Sequence, residues 1–454
     1  MKLVTIEDIE RYLHEQIGRP GEFRGGDWGF ARMKEYVRRL GNPQEKMRVV
    51  HVAATSGKGS ICTLIARLLV ETGVKTGLHV SPHLTDIRER AQVNGKMIEE
   101  EKFVGYFNDA LPVIESMRES AWGALSYYEI LMGVTYDIFA GEKVDYAVIE
   151  TGMGGLLDGS NVVRRADKVA VLGRIGLDHT HILGKSYQAI ARQKAGIVHE
   201  GNLVVALTQR KDVMEVFRGR ARAVGAGEFW EMNTEEAVSS VMVLRQATKF
   251  DFAWEGMQYQ ALEVGLLGGY QAENAAIALA AFQKLVQRDG LRMNERVIRK
   301  ALREVSFGGR MTVGRFDGKL IVADGAHNGQ KMRAFVKSLR TIFPARDYVF
   351  VIAFKKGKDI SVMLEIIGRY ARAVVVTKFF TQDEGLVSMA EDTGIVAELA
   401  QKVGIRSVIT EDDVREALGR AVELAGEEPV VVTGSLYLMS EVCPVIIERG
   451  ARRD

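Results

Sequence analysis

Two cysteines in 454 residues, Cys62 and Cys443, are too few and too far apart for a disulfide framework or a metal pair. Cys62 falls inside an apolar helical pattern, so a reducing compartment is the expectation. No uncharged apolar run is long enough to span a bilayer, and the opening MKLVTIEDIE carries acids where a signal peptide would have its apolar core. Both absences point to the cytoplasm. There is no excess of charge either. A formal net charge of +2 offers no broad nucleic-acid or membrane surface and leaves room only for a local basic funnel toward a polyanion. Solenoid-type repeats and low-complexity tails are missing too. What is there, 47% hydrophobic and 26% charged residues in a chain too long for one core, describes a globular protein of two or three domains.

Apolar runs alternate with helical spacing along most of the chain. Helices are expected over 5–18, 32–40, 60–73, 99–117, 126–139, 186–194 and 271–286. Asn294 is a cap for one more, running to Val305. Strands are expected at 48–53, 75–80, 144–149, 169–172 and 203–207, an order that implies a doubly wound, mainly parallel sheet with ligands at the carboxyl ends of its strands. Period-two alternation between about 225 and 265 adds an antiparallel patch to this first domain. The glycine-rich stretch Gly21 to Gly29, with Trp28 and Phe30, reads as a loop, either a ligand lid or a packed turn. Ser306 to Arg310 is the linker candidate. Strands at 320–323, 348–353, 373–377 and 430–433 then make a second, smaller α/β domain of Rossmann-like pattern. The expected division is therefore 1–305 and 306–454.

The stretch that organises the first domain is Val49 to Ser60, HVAATSGKGS at its centre: a buried strand, a glycine turn and a helix start with Ile61, Leu64, Ile65, Leu68 and Leu69 on one face. This is the geometry in which backbone N–H groups and a helix N-terminus meet a phosphate. Lys58 would reach outer phosphates, and Ser60 a magnesium ion. The standard GxxxxGK[ST] pattern is not met, because Val52 replaces its first glycine and Gly59 separates Lys58 from Ser60; an unrelated surface turn is the competing reading. Glu150 ends a strand before Thr151-Gly152-Met153-Gly154-Gly155, well placed to hold magnesium or simply to be solvated. Asp158 and Asn161 follow in that loop and could bind a polar substrate or cap the next segment. Asp178-His179-Thr180-His181 lies after another strand without the further ligands a structural zinc needs. Lys194 ends a helix, where the dipole alone accounts for a cation. In the second domain Asp324, before Gly325-Ala326-His327-Asn328, could accept from ribose hydroxyls. Ser435 offers a hydroxyl to an anion, and Lys355, Lys356 and Lys358 are a solvated charge run or an anion site.

Taken in order, these segments resemble the folylpolyglutamate synthase and dihydrofolate synthase family, Mur-type ATP-dependent amide ligases. The motifs run from about Asp27 to Tyr437: HVAATSGKGS, SPHL with Glu89-Arg90 and Asn94-Gly95, the Glu150–Asn161 loop, GLDHT, KAGI, Gln271 with Asn274, GGRM, DGAHN and TGSLY. The resemblance implies a P-loop-type first domain with an N-terminal acceptor-binding segment and a C-terminal domain that binds glutamate and closes on ATP. It implies ATP-driven phosphorylation of a pteroate or folate carboxylate and attack by glutamate. Gly57, Lys58, Gly59 and Ser60 would hold phosphates, with Asn274, Arg310, Asp324 and His327 on the nucleotide from the far side. Ser60, Ser81, Glu150 and His179 would hold one or two magnesium ions. Lys58, Lys194 and His179 would be the catalytic set, Lys194 as a carbamate. Tyr128, Leu157, Asp158 and Gly159 match the folate site, and His327 and Ser435 the glutamate site. A monovalent cation and a monomeric state are also implied, with no nucleic-acid or membrane partner. The chain departs from the family pattern at Ala54, Ser56, Leu156, Gly159-Ser160, Gln193, Tyr270, Gly308, Thr312 and Gly329. Of these, Leu156 and Gly159 border the acceptor. The rivals are a ligase of the same fold with another carboxylate acceptor and a nucleotide-binding regulatory protein without ligase activity.

Overall fold

The computed structural model describes residues 2–15, 26–381 and 388–447. Its larger sheet has eight strands: β1 (Arg48–Ala53), β2 (Thr76–His79), β3 (Gln92–Val93), β4 (Lys96–Met97), β5 (Tyr146–Glu150), β6 (Val169–Leu172), β7 (Leu203–Leu207) and β8 (Glu228–Met232). Their order is β4-β3-β2-β5-β1-β6-β7-β8, parallel except for β3 and β4. The unbroken apolar runs of β5, β6 and β7 are buried along their whole length because helices cover both faces. Val50 and Val52 of β1 pack with the helices Lys58–Glu71 and Tyr270–Asp289. Val49, one residue out of phase, packs on the opposite side with Gly26–Arg39, Glu100–Arg118 and Tyr127–Gly141. The alanine-rich helix Tyr270–Asp289 is buried nearly all round, which explains its small side chains.

The period-two stretch divides. Glu228–Met232 joins the main sheet in parallel with β7, and only β9 (Val238–Val243), β10 (Thr248–Trp254) and β11 (Met257–Val264) form a separate antiparallel sheet. An edge strand with one covered face alternates whichever way it pairs, so the pattern could not separate the two. The expected loop at 21–29 is corrected in its second half. A helix runs from Gly26 to Arg39, with Asp27 in its first turn and Arg38 and Arg39 in its last to suit the dipole. Phe30 is buried on it and Trp28 lies against Trp122, ring centroids 5.2 Å apart. Residues 21–25, and Gly18 at the expected end of the first helix, lie outside the described residues; that helix is seen over Ile6–Glu15.

Residues 304–311 contain no helix or strand. Beyond them come β12 (Thr312–Phe316), β13 (Lys319–Asp324), β14 (Tyr348–Ile352), β15 (Ala371–Val376), a small ribbon of β16 (Phe380–Thr381) and β17 (Ser388–Met389), then β18 (Val408–Thr410) and β19 (Val430–Thr433). The second large sheet has the order β12-β13-β19-β14-β15-β18, with β12 as its antiparallel edge. Among the described residues no helix is long and apolar enough to cross a membrane.

Candidate active site

β1 lies between β5 and β6, so the loops leaving all three strands meet at one end of the sheet. Gly57, at φ +83°, makes the turn after β1, and a Cβ there would run into the Asn274 side chain. Gly59 faces Phe307, where a Cβ would sit 2.5 Å from the ring, and 3.3 Å from Glu150 Oε2. The two glycines thus bring Asn274, Glu150 and the 304–311 segment against the start of the helix Lys58–Glu71. Thr55 ties this loop to the one after β6: its Oγ1 donates to Gly176 O at 3.2 Å and accepts from Gly176 N at 3.0 Å. Ser56 Oγ is buried with no hydrogen-bond partner among the described residues. A glycine cradle with an orphaned hydroxyl suits phosphate oxygens.

Glu150 is buried at the end of β5. Its Oε2 accepts from Ser81 N at 3.1 Å, and its Oε1 lies 3.8 Å from Lys58 Nζ. Burial raises its carboxyl, opposed by Lys58, the Ser81 N–H, Arg310 and Lys331. The structure therefore brings Glu150 and Ser81 together beside Ser60, itself buried in the first turn of the loop's helix. His179 has a left-handed backbone at φ +50° and lies 3.9 Å from Asp178 Oδ1. Partial burial holds its imidazole down at about 4, against the pull of Asp178, so it stands neutral with one ring-nitrogen lone pair available. Among the described residues no group of three His, Cys, Asp or Glu side chains is arranged to hold a metal. The expected magnesium set has only two such side chains, and its other donors are the hydroxyls of Ser60 and Ser81; hard oxygen donors of this kind fit magnesium rather than zinc.

Lys194 is buried at the end of the helix Tyr187–Ala195, and its ammonium makes no ion pair or hydrogen bond with a described residue. Burial, with Lys58 adding to it, pulls its amine down to about 7. The glycine loop after β5 lies directly on it: a Cβ at Gly155 would stand 2.6 Å from Gln193 O and 3.0 Å from Lys194 Cα. Leu156 N donates to Gln193 O at 2.7 Å, and Asn161 Nδ2 donates to the carbonyls of Leu156 and Gly196. Asn161 is thus a clip for the loop.

Among the residues expected at the acceptor, Tyr128 Oη donates to Asp158 Oδ1 at 3.0 Å, and Gly159 packs beneath the Tyr128 ring. Leu157 packs against the same core. Asp158 also accepts from Ser160 N and Met153 N. His51, which carried no role in the sequence reading, supports this corner: its Nε2 lies 2.9 Å from Ser160 Oγ and 3.0 Å from Thr151 Oγ1. Its place in an apolar strand was the signal, since a buried ring needs polar partners.

From the second sheet, Asp324 ends β13 and accepts from Met311 N at 2.9 Å and Tyr270 Oη at 3.3 Å. Burial raises its carboxyl against the opposing Arg310. Ser435 follows β19, the neighbour of β13, and its Oγ accepts from Tyr437 N at 3.1 Å. A Cβ at Gly325 would collide with Leu436, so the His327 and Ser435 loops are packed together. Asp178 joins the two halves, a role the sequence did not reveal. It accepts from Asn328 Nδ2 at 3.0 Å and Lys358 Nζ at 2.7 Å, with His327 Nε2 and Lys331 Nζ each 3.7 Å away. The lysine run is thereby resolved at Lys358, which serves a carboxylate of this chain.

Two family models match: the Mur ligase middle domain over residues 129–282 and the dihydrofolate synthetase C-terminal domain over residues 317–445. The chain is similar to a dihydrofolate synthase/folylpolyglutamate synthase of Bacillus subtilis, 29% identical over 439 residues that cover 96% of this chain and 98% of the relative. In structure it resembles the Mycobacterium tuberculosis folylpolyglutamate synthase complexed with ADP and AMPPCP, with a TM-score of 0.85 at 26% identity, covering 99% and 98% of the two chains. An FPGS–AMPPCP–folate complex matches with a TM-score of 0.81 at 26% identity, covering 97% of this chain and 98% of that one. Sequence and fold agree along nearly the whole length and the two family models within it, and the chain belongs to the folylpolyglutamate synthase and dihydrofolate synthase family of Mur-type ligases.

Proposed function

We propose that the protein is an ATP-dependent ligase that joins L-glutamate to the carboxylate of a folate-type acceptor, dihydropteroate or a tetrahydrofolate. The observation that carries this reading is the position of Glu150 at the phosphate loop, within the electrostatic reach of Lys58 from one sheet and of Arg310 and Lys331 from the other half. Nucleotide and acceptor would meet in that cleft, whose boundary we place at 305/306.

In this reading Gly57, Lys58, Gly59 and Ser60 hold the phosphates, and Asn274, Arg310, Asp324 and His327 hold the nucleotide from the C-terminal side. Tyr128, Leu157, Asp158 and Gly159 position the acceptor. An acceptor carboxylate oxygen attacks the γ-phosphorus, ADP leaves, and an acyl phosphate forms. The glutamate amine, near His327 and Ser435, then displaces phosphate to give the amide and releases a proton. Little covalent chemistry falls to the protein; positioning and charge stabilisation suffice. Magnesium, as one ion or two, held by Ser60, Ser81, Glu150 and His179, would screen the phosphate charge and polarise the phosphoryl group. Lys194, uncharged in a good fraction of molecules near neutral pH, is fit to take up carbon dioxide as a carbamate, and ¹³C-bicarbonate NMR would detect it. Family resemblance alone supports a monovalent cation, a monomer and a cytoplasmic location. A second reading, another carboxylate acceptor, is favoured by Leu156, a 37% exposed apolar side chain bordering the acceptor. Incubation with ATP, glutamate and each acceptor, read by mass spectrometry, tests the assignment: no glutamylated product from dihydropteroate or tetrahydrofolate sinks the folate reading.

A further inference from the structure

Lys331 sits in the first turn of the helix Gly329–Ile342 and has so far entered only as a charge near Glu150 and Asp178, with no contact to substrate assigned to it. Two independent bonds fix what it faces. His327 Nδ1 lies 2.8 Å from Gly325 O, a carbonyl that can only accept, so Nδ1 carries the ring proton and Nε2 presents its lone pair. Lys331 Nζ lies 2.8 Å from that Nε2 and donates to it. Asp178, 3.7 Å away, is beyond hydrogen-bond reach and already accepts from Asn328 and Lys358. One of the three ammonium N–H groups is therefore engaged, and two point elsewhere without a hydrogen-bond partner among the described residues.

The surroundings say what those two N–H groups are for. The side chain is 23% exposed and lies 3.7 Å from Asp178 of the first half, between the two sheets. It crosses from the second sheet toward the first: Asn328, three residues before it, bonds Asp178, and Gln330 is packed against Gly176 so closely that no Cβ fits there. Burial lowers its amine to about 7, opposed by Asp178 and reinforced by Lys58, Arg310 and Lys358. Glu150, at the phosphate loop, feels Lys331 as well as Lys58. Cations from two sheets converge on one space, and an anion placed there would relieve their mutual repulsion and hold Lys331 charged.

We infer that Lys331 binds the phosphoryl group in transfer, donating to an oxygen of the ATP γ-phosphate and then of the acyl phosphate, opposite Lys58. The inference rests on the ATP-dependent ligation proposed above. In the step itself the acceptor oxygen bonds to phosphorus, the bond to the β-phosphate oxygen breaks, and ADP carries away the electron pair. Lys331 keeps its protons throughout and acts by charge, completing from the C-terminal side a clamp that the phosphate loop begins.

Two measurements on the full-length protein test this. Calorimetric titration with ATP and with ADP, magnesium present, compares the native protein with Lys331→Met, each first checked for an unchanged melting temperature. The substitution weakens ATP by about tenfold, the scale of one charge-assisted hydrogen bond, and leaves ADP unchanged; equal effects on both nucleotides, or none, overturn the assignment. Hydroxylamine trapping with ATP and acceptor but no glutamate reads the phosphoryl step directly. Lys331→Met loses at least about tenfold in hydroxamate formation, and Lys331→Arg recovers part of it. A variant that makes hydroxamate at the native rate yet forms no amide would put Lys331 at the incoming amine and overturn the inference. If the native protein distinguishes ATP from ADP but yields no hydroxamate from either folate-type acceptor, the acceptor assignment fails, while the binding comparison still decides the role of Lys331.

Discussion

At the scale of single residues, two lysines of the same site ask for different tests. Lys58 is the cation of the proposed phosphate loop, 3.8 Å from Glu150, and removing it leaves the backbone cradle in place. Lys58→Ala should lower turnover by about a hundredfold or more with an unchanged melting temperature; turnover within a fewfold of native would remove the phosphate-loop assignment. Lys194 is buried, and its amine is lowered to about 7 by that burial. Between about pH 7 and the ordinary lysine range the unfolded chain holds a proton that the folded one has released, so stability rises with pH across that window and is flat below it. Measured in CO2-free buffer, the native protein should gain about 1.4 kcal/mol per pH unit over Lys194→Met from pH 7.5 to 9. A difference that does not change with pH would show that Lys194 keeps its proton. Lys58 was marked in the sequence by the glycines on either side of it, whereas Lys194 was singled out only by the family resemblance, since its place at a helix end accounts for a cation by itself. Lys331 had neither signal: it lies four residues after His327 on a helix face, and only the packing of that helix on Gly176 shows that it faces a site.

At the scale of elements, the glycine loop after β5 shows how short segments set long-range geometry. Gly155 has φ +152° and lies against the backbone of Gln193 and Lys194, which cannot move aside as a flexible side chain would. Gly155→Ala should cost about 2 kcal/mol or more and shift the loop that carries Asp158; thermal melting together with the Michaelis constant for the acceptor checks both, and a variant native in each would show the loop to be free of that helix. Asn328 closes another element: its Oδ1 caps the helix Gly329–Ile342 through Lys331 N at 2.9 Å while its Nδ2 reaches Asp178. Asn328→Ala is expected to lose about 1–2 kcal/mol as a cap and to weaken the link between the sheets as well; Asn328→Asp retains the cap but sets a second carboxylate against Asp178, so its melting should exceed that of the alanine variant only at high salt. Element positions were largely readable, since buried parallel strands leave unbroken apolar runs. What misled the reading was local ambiguity. Glycines at 26 and 29 suggested a loop where packing of Phe30 and Met33 sustains a helix, and edge alternation in Glu228–Met232 suggested antiparallel pairing.

At the scale of the whole molecule, Asp178 is the knot. Its bonds to Asn328 and Lys358 cross between the sheets, and burial, which alone would raise its carboxyl, is outweighed by the ammonium groups of Lys331 and Lys358, which hold it well below the usual carboxylate range. Asp178→Ala should leave Lys358 without its partner and let the halves separate, seen as a larger radius of gyration by X-ray scattering and weaker ATP binding; unchanged scattering would mean that other contacts hold the halves. No sequence signal could have named this residue as a bridge, because its partners lie about 150 and 180 positions away. The same division of cations between the halves has a consequence for waste. A molecule whose halves have parted still carries the glycine cradle and can retain nucleotide, but Lys331 travels away with the other half. On the role proposed for Lys331, hydrolysis of ATP by stray water would then be restrained by architecture, with the nucleotide committed only once the two halves have come together around it.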